Sequence, residues 1–245
     1  MSYRYFIEVS YKGTNYSGFQ IQQNANSIQA EIEKALKVYY KKDFKLTGSS
    51  RTDAGVHAIQ NFFHFDCDAV IDDQSYHLNA ILPADIVIKR IFPVQPDKHC
   101  RFDALSREYT YNIYMQKDPF LQDRAYFFPY LLNIEVLQQA AMELTRHKDY
   151  TTFSKRNTQV KTALCIITGS KWIQEGNLLS YHVTSNRFLR GMVRGMVGTM
   201  LQVGRNKISL QQFCRIIESK DCTKADFSVP PQGLFLQKVN FPDFL

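Results

Sequence analysis

The residues best equipped for chemistry fall in two stretches. The first, Arg51-Thr-Asp-Ala-Gly-Val-His-Ala58, puts an acid, Asp53, two residues after a guanidinium and directly before the turn-forming Ala54-Gly55 pair. A carboxylate so placed suits nucleophilic or acid–base work; alternatively it caps the turn or pairs with Arg51, the commoner use of such a residue. His57, His64 and Asp66 follow and offer a metal-dependent nuclease its ligands, although they lack the helical two-histidine spacing of a zinc site. The second stretch, residues 187–203, reads RFLRGMVRGMVGTMLQV. On a helix, Arg187, Arg190 and Arg194 fall within roughly 60° of one another, and Gly191, Gly195 and Gly198 form the adjoining strip. Each interior glycine costs about 1 kcal/mol against alanine, so three together imply close approach of another backbone. The arginine row is then either simply solvated or aims a guanidinium into a site, where its fork can hold a carboxylate or phosphate bidentately.

These stretches need elements to position them. Tyr3, Tyr5, Ile7, Val9 and Tyr11 alternate as in a strand; Ile28, Ile32, Leu36 and Tyr39 keep helical spacing after Ser27, a good N-cap. Strands at 44–50 and 59–67, a helix at 74–81 and a strand at 85–92 complete a βαββαβ order. The second half repeats it: strand 107–115, helix 134–145, strands 161–173 and 178–185, helix 187–203 and strand 234–240, with an extra helix near 209–219. The expected fold is α+β: two ferredoxin-like (RNP-like) βαββαβ units, residues 1–104 and 105–245, sharing one mostly antiparallel sheet with helices on one face.

Composition narrows the class. With 245 residues, 44% hydrophobic and 22% charged, the chain can bury a core and is neither disordered nor collagen-like. No run approaches a membrane span, and the N-terminus lacks a secretory apolar core. Five cysteines, odd in number and without a CxxC pair, argue against a disulfide framework or zinc ribbon and for a reduced, cytoplasmic protein. The net charge of +7 is uneven: residues 1–104 carry twelve basic and twelve acidic side chains, the remainder eighteen and eleven. Residues 176–217 hold six basic side chains and no carboxylate, a one-signed field suited to a polyanion. No phosphate-binding glycine loop, dinucleotide fingerprint or Gly-x-Ser-x-Gly elbow occurs, so no nucleotide cofactor is expected, and the spacing of His57, His64 and Asp66 gives no expectation of a resident metal.

Arg51-Thr-Asp-Ala-Gly-Val-His-Ala58 resembles the hallmark of the tRNA pseudouridine synthase A family. Tyr11-Lys-Gly-Thr-Asn-Tyr-Ser-Gly-Phe-Gln20, Ser27-Ile-Gln, Leu78-Asn-Ala-Ile-Leu-Pro-Ala-Asp-Ile86, Cys100-Arg-Phe-Asp-Ala104, Arg107-Glu-Tyr-Thr-Tyr111, Asn186-Arg-Phe-Leu-Arg-Gly-Met-Val-Arg194 and Pro231-Gln-Gly-Leu-Phe235 are similar to its other motifs, in order. Two departures stand out: Phe19 where tryptophan is usual, and Ser50 where glycine or alanine is common.

The resemblance implies an isomerase that detaches uracil from C1′, turns it and rejoins it through C5, at uridines 38, 39 and/or 40 in the anticodon arm of tRNA. It assigns Asp53 as nucleophile, Arg194 as its charge partner, Tyr109 as the residue stacking on the base, and Arg51 as helper in holding the nucleotide out of its stem. Attack on C1′, addition to C6 and assisted elimination are all compatible with such an aspartate. Further RNA-contact candidates are Arg187, Arg190, Lys155, Arg156 and Arg205, and the family implies a homodimer that works without cofactor or membrane. A non-catalytic RNA-binding module and the nuclease on His57, His64 and Asp66 are the competing classes.

Overall fold

The computed structural model describes residues 2–155 and 161–243. In chain order its elements are β1 (Tyr3–Tyr11), α1 (Ile28–Tyr40), β2 (Thr47–Gly48), β3 (His57–Cys67), α2 (Ser75–Ile81), β4 (Ile86–Val94), β5 (Ser106–Tyr114), β6 (Tyr126–Phe127), α3 (Ile134–Leu144), β7 (Ile167–Glu175), β8 (Leu178–Ser185), α4 (Met192–Gly204), α5 (Leu210–Glu218) and β9 (Leu234–Asn240). The class is α+β with mostly antiparallel pairing, as expected. Two compact units form: Met1–Leu105 with Phe235–Leu245, and Ser106–Leu234. Among the described residues no helix is long and apolar enough to cross a membrane.

In the first unit β1 lies between β4 and β3, antiparallel to both, while β2 pairs with β3. This is the strand order of a ferredoxin-like unit, with β9 added parallel to β3 through His57↔Phe235 and Ala58↔Leu236. The Ser27 hydroxyl caps α1 by accepting the Ala30 N–H, and Ile28, Ile32, Ala35 and Leu36 turn inward at helical spacing. Phe6, Ile7, Phe62, Phe63 and Phe65 fill the core from β1 and β3. The strand expected at 44–50 shrinks to two residues. Ser49 still donates its N–H to Phe62 O, but the Ser50 carbonyl is taken by the Asn61 side chain, so the ladder ends where the Asp53 loop begins.

In the second unit β8 lies between β5 and β7, antiparallel to both, and β6 runs parallel to β5. The inward residues of β8 alternate strictly: Leu179, Tyr181, Val183 and Ser185 are buried. Asn133 caps α3, and Ser209 with Gln212 forms a capping box on α5. The strand expected from residue 161 begins at Ile167. The helix expected over 187–203 begins only at Met192, because Gly191 takes a left-handed conformation (φ 75°) at its N-cap. Arg187 and Arg190 therefore precede the helix and form no stripe with Arg194.

Two glycines inside α4 do admit a close neighbour, a side chain at Gly195 and a backbone at Gly198. A Cβ on Gly195 would lie 2.7 Å from the Phe227 ring, and one on Gly198 would lie 2.2 Å from the Asp226 carbonyl oxygen. Thr199 fastens the same segment, accepting the Asp226 N–H at 3.0 Å while donating to Gly195 O at 2.7 Å. Gln202 donates to Asp226 Oδ2 at 2.7 Å. Residues 226–230 are thereby strapped along α4.

Candidate active site

In the first unit, Asp53 is half-buried and Arg51 is exposed on the loop between β2 and β3. The turn is local: Val56 N–H donates to Asp53 O at 3.2 Å, and Gly55 sits at φ 77°. The loop is braced by the segment after β1. Thr52 O accepts the Phe19 N–H at 3.1 Å, and the Tyr11 hydroxyl meets Thr52 Oγ1 at 2.8 Å. Gly18, at φ 115°, passes so close that a Cβ would lie 3.1 Å from Thr52 O. Asn61, fully buried on β3, completes the brace: its Nδ2 donates to Ser50 O at 2.8 Å and to the Tyr11 hydroxyl at 3.2 Å, and its Oδ1 accepts the Phe62 N–H at 2.9 Å. Buried polar groups this well paired hold one geometry. The two departures fit the brace. Phe19 stacks on Phe63 at 4.4 Å, and buried Ser50 lies 3.5 Å from Ser49, hydroxyl to hydroxyl.

The nuclease set does not assemble as one group among the described residues. His57 Nδ1 accepts the Gly13 N–H at 3.0 Å, and its ring lies 4.5 Å from Phe235. Asp66 is held bidentately by Arg4, at 2.7 and 2.8 Å, and this guanidinium keeps its carboxyl below the usual range. His64 instead meets Cys100 and His99.

In the second unit, Tyr109 lies on β5, 8% exposed, with Phe188 set edge-on at 4.9 Å. Tyr111 shares its face by strand periodicity and donates its hydroxyl to Pro230 O at 2.7 Å. Half-buried Arg194, in the first turn of α4, donates Nε to Val229 O at 2.8 Å. Burial pushes the Tyr111 hydroxyl pKa up, and the nearby Arg194 charge opposes that shift. The strap along α4 thus gives consecutive carbonyls to Arg194 and Tyr111, fixing a permanent cation close to Tyr111.

The remaining basic candidates separate. Lys155 N–H donates to Arg190 O at 3.1 Å, and the Lys155 chain runs over Gly191, where a Cβ would lie 2.9 Å from Lys155 Cγ. Arg190 is exposed. Half-buried Arg187 lies near Cys165, whose thiol burial pushes up to about 11 while the arginine opposes it. Arg205 follows the opposite end of α4, roughly 20 Å from Gly191 by helical rise, over the Tyr130 ring at 3.8 Å. Arg156 lies outside the described residues.

Sequence reasoning missed Tyr11, Thr52 and Asn61 as a bracing network, and Val229 and Pro230 as anchors. The one available signal was that Tyr11 and Thr52 stand inside quoted motifs; Asn61, Val229 and Pro230 carried none.

The first unit thus carries an acid on a braced loop, and the second an arginine and a tyrosine anchored by a strap along α4. Residues 7–103 and 140–242 match the family model described as tRNA pseudouridine synthase. The chain is 43% identical to the tRNA pseudouridine synthase A of Parabacteroides distasonis, over 99% of this chain and 97% of that protein. For the enzyme of the same name from Bacteroides thetaiotaomicron the identity is 42%, over 98% and 91%; for that of Staphylococcus aureus strain MRSA252 it is 35%, over 96% and 91%. With motifs, both units and full-length relatives in accord, the chain belongs to the tRNA pseudouridine synthase family.

Proposed function

We propose that this member of the family, an isomerase converting tRNA uridine to pseudouridine, acts at uridines 38, 39 and/or 40 of the anticodon arm. Asp53 supplies the carboxylate that engages the nucleoside, by attack on C1′, addition to C6 or assisted elimination. Arg194 pairs with it in the working enzyme, its permanent charge and planar fork matched to a carboxylate. Tyr109 stacks on the detached uracil, its phenol placed to take the C5 proton. Arg51 holds the target nucleotide out of its stem. Recognition of several neighbouring uridines calls for shape and backbone contacts, which Lys155, Arg156, Arg187, Arg190 and Arg205 supply to phosphates. The enzyme works as a cytoplasmic homodimer with no cofactor.

The observation that carries the reading is the brace around Asp53: Tyr11, Thr52, Asn61 and Phe19 hold one half-buried acid on a loop whose sequence is the family hallmark. Its test is Asp53→Asn, assayed by carbodiimide mapping of pseudouridine in tRNA alongside tRNA binding. Loss of product with binding retained is expected; full activity in that variant overturns the assignment.

A further inference from the structure

His64, His99 and Cys100 lie in the first unit, outside the brace, and the proposed reaction uses none of them. One ligand-capable atom from each falls within 4.8 Å of the others. His64 Nδ1 lies 3.1 Å from Cys100 Sγ, and the two imidazole rings meet nearly edge-on, 4.5 Å between centroids at 67°. His64 and Cys100 are buried, and His99 is half-exposed. Both rings present a lone pair at Nδ1: that of His64 faces the Cys100 N–H at 3.4 Å, that of His99 the Arg101 N–H at 3.1 Å. Burial, reinforced by Arg4 on both rings and by His99 on His64, lowers both histidine pKa values, that of His64 to about 4, which favours the neutral rings. The Asp103 carboxylate acts in the opposite sense on both rings, and it accepts the His99 N–H at 2.8 Å.

We propose that His64, His99 and Cys100 form a zinc site that clips the segment after β4 onto β3. Two neutral imidazoles and one thiol are a borderline-soft donor set of the kind zinc selects. Zinc–nitrogen bonds of about 2.0–2.1 Å and a zinc–sulfur bond of about 2.3 Å place tetrahedral ligand atoms roughly 3.3–3.6 Å apart, so modest side-chain shifts close the cluster. On ligation the Cys100 S–H bond breaks, the proton leaves to solvent, and a sulfur–zinc bond forms with zinc remaining divalent. The 3.2 Å contact from Sγ to Thr47 O is given up, as are the backbone N–H contacts to the Nδ1 atoms of His64 and His99, whose lone pairs turn to the metal. Water entering on the half-exposed His99 side takes the fourth position.

The test uses the full chain, stripped with chelator and dialysed against Zn2+ alone or Co2+ alone. Expected are one Zn2+ per chain, a rise in melting temperature with zinc, and a thiolate-to-cobalt charge-transfer band. Cys100→Ala abolishes the band; His99→Gln, at a half-exposed position, loses the zinc-dependent rise. Circular dichroism checks that both variants fold. Failure of the wild type to retain zinc overturns the site, as does equal retention by wild type and both folded variants, which marks adventitious surface binding.

Discussion

Asn61→Ala tests whether the brace around Asp53 serves catalysis as well as folding. The side chain is fully buried and makes three hydrogen bonds, to Ser50 O, the Tyr11 hydroxyl and the Phe62 N–H. Truncation withdraws a partner from each and leaves a small void. A buried group stripped of its partner costs about 1–3 kcal/mol, and allowing for remaining partners the total is about 3 kcal/mol. In a chain of this length each kcal/mol shifts the melting temperature by about 2–4 °C, so a drop of about 6–12 °C is expected by calorimetry. Kinetics below the transition separate the two roles. Slack in the loop displaces the acid, and a displacement of about 1 Å costs up to roughly 100-fold in turnover. KM for tRNA stays within about twofold, because no phosphate contact is removed. Asn61→Asp, which keeps the acceptor but faces the Ser50 carbonyl with an oxygen, gives no rescue. A melting shift under about 2 °C, or an unchanged kcat in the folded variant, refutes the brace.

Gly198→Ala removes a helix penalty of about 1 kcal/mol but drives a Cβ to 2.2 Å from the Asp226 carbonyl. Overpacking costs about 1–3 kcal/mol, so thermal unfolding shows a net loss; a raised melting temperature contradicts the strap. Replacing Lys155 and Arg190 together by glutamine weakens tRNA binding and lowers the slope of log K against log salt by about 1–2; an unchanged slope removes both from the interface. Burial lowers the His64 pKa to about 4, so between the unfolded value of about 6.5 and pH 4 the unfolded chain binds a proton that the folded chain does not. Stability therefore falls as pH drops through that window. In His64→Gln the urea midpoint flattens between pH 6.5 and 5, a range above most carboxylate titration; parallel profiles would sink the assignment.

Wherever one face was buried and the other wet, periodicity located the elements. α1, α3, β5 and β8 end within one or two residues of their expected bounds, because Ser27, Asn133 and the alternation along β8 are local signals. α4 shows where local signals mislead. Leu189, Met192 and Val193 are all buried, so the apolar spacing runs on through a turn, and only the φ of Gly191 separates turn from helix. β9 was visible as a strand, but its parallel pairing with β3 depends on residues about 180 positions apart, a distance no pattern spans.

The candidate site divides along the same line. Asp53-Ala54-Gly55 reads as a turn because its chemistry is its own, and Gly55 takes the positive φ that chemistry foretells. What aims the functional groups is remote. Asn61 reaches back to Ser50 and Tyr11, and Val229 anchors Arg194 from 35 residues further along the chain. The glycines of α4 advertise a close neighbour by their cost, yet that neighbour is the irregular segment 226–230, which has no period. Its carbonyls are left for a guanidinium and a phenol because it pairs in no sheet there, so the strap is both the reason for the glycines and the device that orients Arg194. Disturbing Gly198 should therefore loosen Arg194 before it loosens the sheet: in the folded Gly198→Ala protein turnover falls while strand amides keep their hydrogen-exchange protection, and early loss of that protection would assign the glycine to packing alone.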